Sequence, residues 1–142
     1  MSHCAIQIRD AIVALVTGLT TTGTRVFKSP IYPLAANALP GIVVMLGPET
    51  LRSIELPRIY ERKRSIDVIP CAQDNADLDG ALAQSGVEIE GVLGMADGPW
   101  KTLVLTSIDP NLDTSGAEPV GQLRMRYEAM YYTRDGSPST FE

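Results

Sequence analysis

Residues 120–133 read VGQLRMRYEAMYYT, and their alternation decides the fold. Leu123, Met125, Tyr127, Ala129 and Tyr131 fall on one side of an extended backbone; Gln122, Arg124, Arg126, Glu128 and Tyr132 fall on the other. Successive side chains of a strand point to opposite faces, so this period of two predicts a long strand with one buried and one partly open face. A one-sided strand of this kind belongs to an antiparallel sheet backed by helices.

Working outward, Lys101–Ile108 reads as a strand with Leu103 and Leu105 facing one way, and Asp109–Pro119, holding Pro110, Gly116 and Pro119, as a turn-rich connection. Ile42–Leu46 is apolar on both sides, a covered central strand that Gly47-Pro48 ends. Arg64–Pro70 and the short Thr24–Lys28 complete the strands. Ser29–Pro33 is extended because each proline restricts its predecessor, and 35–39 is a connector.

Two stretches carry a helical period. From Ser2, the expected N-cap, to about Leu19, the apolar stripe is Ala5, Ile8, Ile12, Leu15, Val16 and Leu19. Over Asp74–Ala96 it is Leu78, Leu82, Ser85, Ile89, Val92 and Leu93, with Asp74, Asp77 and Asp79 favouring the positive end of the helix dipole. Residues 49–63 show no clean period and read as a long loop or splayed hairpin projecting from the body, and 134–142 as a polar tail that frays or docks on a neighbour. The expectation is one α+β domain over 1–142, with a mixed or antiparallel sheet of about four or five strands covered on one face by two helices.

Composition narrows the function. The chain has 142 residues, 44% of them hydrophobic, and no apolar run approaching the ~20 residues needed to span a bilayer. No secretory signal opens it, so a soluble product made in a cytosol, without membrane contact, is expected. The net charge of −5 disfavours wrapping of nucleic acid. That charge is uneven: residues 1–70 hold eight basic and five acidic groups, whereas 71–123 hold one lysine and nine acids. Opposite patches of this kind attract across a head-to-tail interface between copies.

No catalytic constellation emerges. The single histidine, His3, lies at an expected exposed terminus, so neither a Ser-His-Asp triad nor a histidine-rich zinc site can be assembled. Cys4 and Cys71 read as isolated thiols, and no glycine pattern cradles phosphate. Glu88 and Glu90 point to different sides of a helix; Asp109 and Asp113 fit a divalent cation less well than plain turn roles. No enzyme, cofactor or metal site is expected. The surface is more informative. Large apolar groups in an irregular segment imply a partner surface, and Ile54, Leu56 and Ile59 are such groups, with Tyr132 a large ring on the otherwise polar side of the terminal strand.

Two clusters of residues carry a family likeness. One is Arg25-Val26-Phe27, Ile31-Tyr32-Pro33-Leu34 and Leu39-Pro40-Gly41-Ile42-Val43-Val44, behind an N-terminal amphipathic helix. The other is Val104-Leu105-Thr106-Ser107-Ile108, leading through Glu118-Pro119-Val120-Gly121 to Tyr131-Tyr132-Thr133. Together they resemble the lambda-type tail terminator proteins of long-tailed bacteriophages. The resemblance implies a structural virion protein at the head-proximal end of the tail, forming a hexameric ring. Such a ring ends growth of the tail tube, meets the tube protein on one side and the head–tail connector on the other, and passes DNA through its lumen without specific binding. The resemblance then implies Arg52, Ile54, Leu56, Arg58 and Ile59, with Tyr132 and the tail around Arg134, as the residues that meet neighbouring subunits or the tube. The alternatives are another neck or tail component, such as a connector or tube subunit, and, more distantly, a small ligand-binding domain.

Overall fold

A computed structural model of the chain describes residues 3–28, 40–55, 59–73, 77–113, 120–134 and 136–142. In chain order these form α1 (Cys4–Val16), β1 (Val26–Lys28), β2 (Gly41–Glu55), β3 (Ile59–Gln73), α2 (Leu78–Leu93), β4 (Thr102–Asp113), β5 (Val120–Arg134) and β6 (Ser137–Phe141). The fold is α+β: one mixed sheet in the order β1-β2-β3-β5-β4, with β6 added to β5. The β1–β2 pair is parallel, and the other pairs are antiparallel.

Both helices cover one face. Cys4, Ile8, Ile12 and Val16 recur every four residues on α1 and are fully buried. They meet Ile42 and Val44 of β2, Ile66 and Val68 of β3, and Met125, Tyr127, Ala129 and Tyr131 of β5 in one core, joined by Ile89 and Leu93 of α2. The inward set of β5 is the one its alternation predicts. On α2, Gly86 permits a close approach to the sheet, since a methyl there would lie 3.3 Å from Leu123 Cδ2. The opposite face carries a smaller buried cluster of Val43, Ile69 and Cys71. Among the described residues no helix is long and apolar enough to cross a membrane.

Several expectations need correction. The cap of α1 is His3, whose Nδ1 accepts from the Ala5 amide at 3.0 Å; His3 is half-buried, and Ser2, the expected cap, lies outside the described residues. Helix α2 starts at Leu78, capped by Asp77, which accepts from the Gly80 amide at 2.9 Å. Residues 74–76, like the extended stretch and connector at 29–39, lie outside the described residues.

Strand β2 does not end at Gly47-Pro48; it passes through a bulge there and continues to Glu55. Residues 49–55 and 59–63 are therefore the outer halves of β2 and β3, with residues 56–58 outside the described set. Likewise β4 runs past Ile108 to Asp113, because a bulge at Thr106 and the proline at 110 are both tolerated on an edge strand. Asp109 and Asp113, read as turn residues, lie on this strand instead. The polar tail turns at Gly136 (φ 80°) and returns as β6, a sixth strand anchored by Phe141 edge-on to Tyr131 with ring centroids 5.6 Å apart.

Candidate interaction surface

The outer end of the sheet, where β2, β3 and β5 run beyond most of the helical cover, gathers most of the residues singled out in the sequence. Its construction begins at Gly47. The bulge inserts an extra residue between Leu46 and Glu49 of β2, opposite the single residue Ser65 between Ile66 and Arg64 of β3. Gly47 is needed for the approach: a Cβ would sit 3.1 Å from Ser65 Cβ and 3.3 Å from its carbonyl oxygen.

The extra residue reverses which side chains face in. Before it, Ile42, Val44 and Leu46 share the helix side with Ile66 and Val68; beyond it, Glu49, Leu51 and Ser53 share that side with Arg64, Arg62 and Tyr60. Glu49 thereby enters the interior beside Tyr131. Its carboxylate accepts from Arg62 Nη1 at 3.1 Å, faces Arg64 Nη1 at 3.8 Å and accepts from the Tyr131 hydroxyl. Arg62 also donates through Nε to Thr133 Oγ1 at 2.7 Å and lies over the Tyr60 ring at 5.9 Å. The side chains of Glu49 and Arg62 are about nine-tenths buried, so this pair closes the core at its outer end. Burial, reinforced by the hydrogen bond to Glu49, pushes the Tyr131 hydroxyl well above the usual phenol range.

On the other face the same stretch presents its partners outward. Arg52, largely exposed, pairs with Glu61 at 3.0 Å, and Glu61 stands opposite Tyr132. Ile59 stands opposite Arg134, which is ion-paired with Glu142 at 2.7 Å. Ile54, Ile59 and Tyr132 line one shallow groove of about 350 Å³ with Lys101 and Glu142. Arg52 lines the neighbouring cleft with Thr50, Leu51, Glu61 and Lys63. Further along the face, Asp67 receives Arg126 through both guanidinium arms, at 2.9 and 3.3 Å, with Arg124 at 3.5 Å.

Of the seven sequence-predicted residues, Arg52, Ile54, Ile59, Tyr132 and Arg134 therefore lie at this one end, and Leu56 and Arg58 lie outside the described residues. Sequence reasoning missed Lys101, Glu142 and Trp100. Trp100 joins Tyr131, Tyr132 and Phe141 in a second groove that continues the first through Lys101 and Glu142. No local signal marks these three residues, because β6 and the start of β4 reach Tyr132 only through long-range pairing.

Chemistry of the catalytic kind has little to build on. Cys4 and Cys71 are buried free thiols, and burial pushes Cys71 up to about 12, which removes the thiolate at neutral pH. Glu88 accepts from the Thr21 amide at 2.9 Å and from the Thr21 hydroxyl, tying the α1–β1 connection to α2. Among the described residues no three His, Cys, Asp or Glu side chains converge as metal ligands. The clefts are open and shallow. The arrangement suits a protein surface better than a small substrate.

No family model and no curated protein matches the chain. Among solved structures, it is similar to a chain described as "Virion of native gene transfer agent (GTA) particle", at 21% identity and a TM-score of 0.42, over 90% of this chain and 92% of that one.

Proposed function

We propose that this chain is a structural subunit of a phage-type virion, a tail terminator that closes into a ring at the head-proximal end of the tail tube. The observation that carries the reading is the outer end of the sheet. There Ile54, Ile59 and Tyr132 line a shallow groove, with Arg52 in the neighbouring cleft and Arg134 opposite Ile59, on strands tied together by the Glu49–Arg62–Tyr131 network. A rigid, partly apolar, charge-rimmed platform is what docking to a flat protein ring requires, and it needs no reacting group. The sequence resemblance to lambda-type tail terminators supplies the biological context.

On this reading one ring face meets the last layer of tube protein, the other lacks a tube-like addition surface and receives the head–tail connector, and growth stops by shape. The lumen passes DNA, and a net charge of −5 per subunit disfavours sticking. The test is to delete the gene for this chain in its particle-producing host and image the products by negative stain. Overlong tubes, or tails unable to join heads, are the expected outcome. Complete absence of tails supports a tube subunit instead, and normal particles refute both readings.

A further inference from the structure

The sheet has two open edges, and they are unlike each other. At one end β1 pairs with β2 from Val26 opposite Ile42 to Lys28 opposite Val44, and among the described residues nothing pairs with the outer side of β2 beyond Val44. At the other end nothing described pairs with the outer side of β4. Water-soluble proteins protect such edges with short strands, charges or prolines. Here Thr102–Ile108 of β4 is an uncharged, proline-free run rich in β-branched residues and leucine, the composition most prone to take up another strand.

Exposure sharpens the point. Six large hydrophobic side chains are exposed among the described residues, and four of them sit on these two strands: Leu51 (50%) and Ile54 (42%) on β2, Val104 (53%) and Ile108 (43%) on β4. The exposed apolar surface is thus concentrated on the two strands whose outer sides have no partner strand among the described residues. Charge separates along the same axis. Residues 4–28 and 40–55, which build the β1–β2 end, carry Arg9, Arg25, Lys28 and Arg52 against three acids. Residues 77–113, which supply α2 and β4, carry Lys101 against seven acids.

We infer that β4 of one copy adds to the outer half of β2 of the next, so that copies of this chain join head-to-tail through one continuous sheet. In the sheet β4 runs opposite to β2, because it is antiparallel to β5, which is antiparallel to β3, which is antiparallel to β2. Rotation about an axis along the strands keeps those directions, and the new pair is antiparallel, the better-bonded kind. A heterologous contact of this type satisfies both edges of every copy once the rotation closes. The inference deepens the ring reading above by naming its interface, and it stands or falls separately from the role of the ring.

The test uses two variants of the full chain. Val104→Lys/Ile108→Lys blocks the β4 edge, and Leu51→Lys/Ile54→Lys blocks the β2 edge; all four sites are exposed, and the single substitutions Val104→Lys and Leu51→Lys serve where a double variant fails to fold. Mass is read by sedimentation and native mass spectrometry up to about 1 mM chain, where even weak pairing registers. Wild type is expected to associate, and each variant alone to remain a 15.3 kDa monomer, with self-association weakened at least about a hundredfold by the buried, unpaired lysines. An equal mixture is expected to form heterodimers and nothing larger, because one good edge remains on each partner.

A monomeric wild type overturns the inference, as does a mixture that stays monomeric. A single variant that still dimerises alone overturns it in favour of like-with-like pairing. Variants that assemble as wild type does also overturn it, while leaving a ring built through another surface. Edge-dependent fibres or dimers in place of closed rings refute the ring reading and uphold the pairing.

Discussion

Replacing Glu49 by Gln tests the network that closes the core, because it removes the charge and keeps the shape. Glu49 and Arg62 are about nine-tenths buried, and the carboxylate is the only acid ion-paired with Arg62 and Arg64 among the described residues. Breaking a buried ion pair by neutralising one partner costs about 3–5 kcal/mol, chiefly because the other charge stays desolvated. Arg62 keeps its 2.7 Å hydrogen bond to Thr133, so the lower end of that range, about 3 kcal/mol, applies to Glu49→Gln. In a chain of this size 1 kcal/mol moves the melting temperature by about 3–4 °C, which makes the expected fall about 10 °C.

The assay is urea and thermal unfolding followed by far-ultraviolet circular dichroism, with the m-value checked for constancy. A companion variant gives the reasoning its edge. Glu49→Leu/Arg62→Met removes both charges, and replacing a buried pair by apolar groups is often close to neutral, so the double variant is expected to be more stable than Glu49→Gln alone. A loss below about 1 kcal/mol for Glu49→Gln, or a double variant less stable than that single one, refutes the account of a desolvated pair.

Gly47→Val drives a branched side chain into the Ser65 backbone across the β2 bulge, where only 3.1–3.3 Å is open; the expected cost is about 1–3 kcal/mol, with faster amide exchange in residues 50–55 and 59–63 and little change elsewhere. Alkaline pH tests the buried acids of the core. Burial raises Cys71 from 9.0 and Tyr127 from 10.0, each to about 12, so the unfolded chain releases these protons first. Their contribution is complete below pH 9 and is lost as pH rises from 9 towards 12, at up to about 1.4 kcal/mol per group and pH unit. The melting temperature is therefore expected to decline steadily above pH 9, and a flat profile up to pH 11 contradicts this.

Legibility in the sequence follows the parity of the strands. Strand β5 is visible because polar and apolar residues alternate without interruption from Gln122 to Ala129, and its inward set forms the core as read. The outer half of β2 is invisible because the bulge at Gly47-Pro48 and a second register shift between Ser53 and Glu55 exchange its two faces mid-strand, whereas that of β3 keeps its parity against β5 but places the charged Arg62 and Arg64 on the inward side. A periodicity argument averages such a strand to noise. The far half of β4 is hidden by the same device, the Thr106 bulge, with Pro110 mimicking a turn. The short β6 depends on Phe141 meeting Tyr131, a contact no local pattern announces. Within the surface, Arg52, Ile54, Ile59, Tyr132 and Arg134 stand out as apolar or charged groups in unexpected places. Glu49 does not, since its burial depends on the reversed parity.

The β2 bulge links stability to assembly in one step. Without the bulge, an unbroken pleat through 47–48 would carry the alternation of Ile42, Val44 and Leu46 on to Thr50 and Arg52, turning Arg52 towards Tyr131 and leaving Glu49 and Arg62 on opposite faces. With it, one acid–base pair, Glu49–Arg62, is sealed inside, and a second, Arg52–Glu61, is displayed outside on the same two strands. A bulge also increases local twist and bends its strand, and Pro48 has no amide hydrogen to offer a neighbour. Among the described residues Glu49–Glu55 has no partner strand on its outer side, and the network behind Glu49 holds this stretch against β3 and β5. Stability of the outer sheet and pairing between copies should accordingly fall together in Glu49→Gln, whereas Val104→Lys/Ile108→Lys should lose pairing and keep its melting temperature.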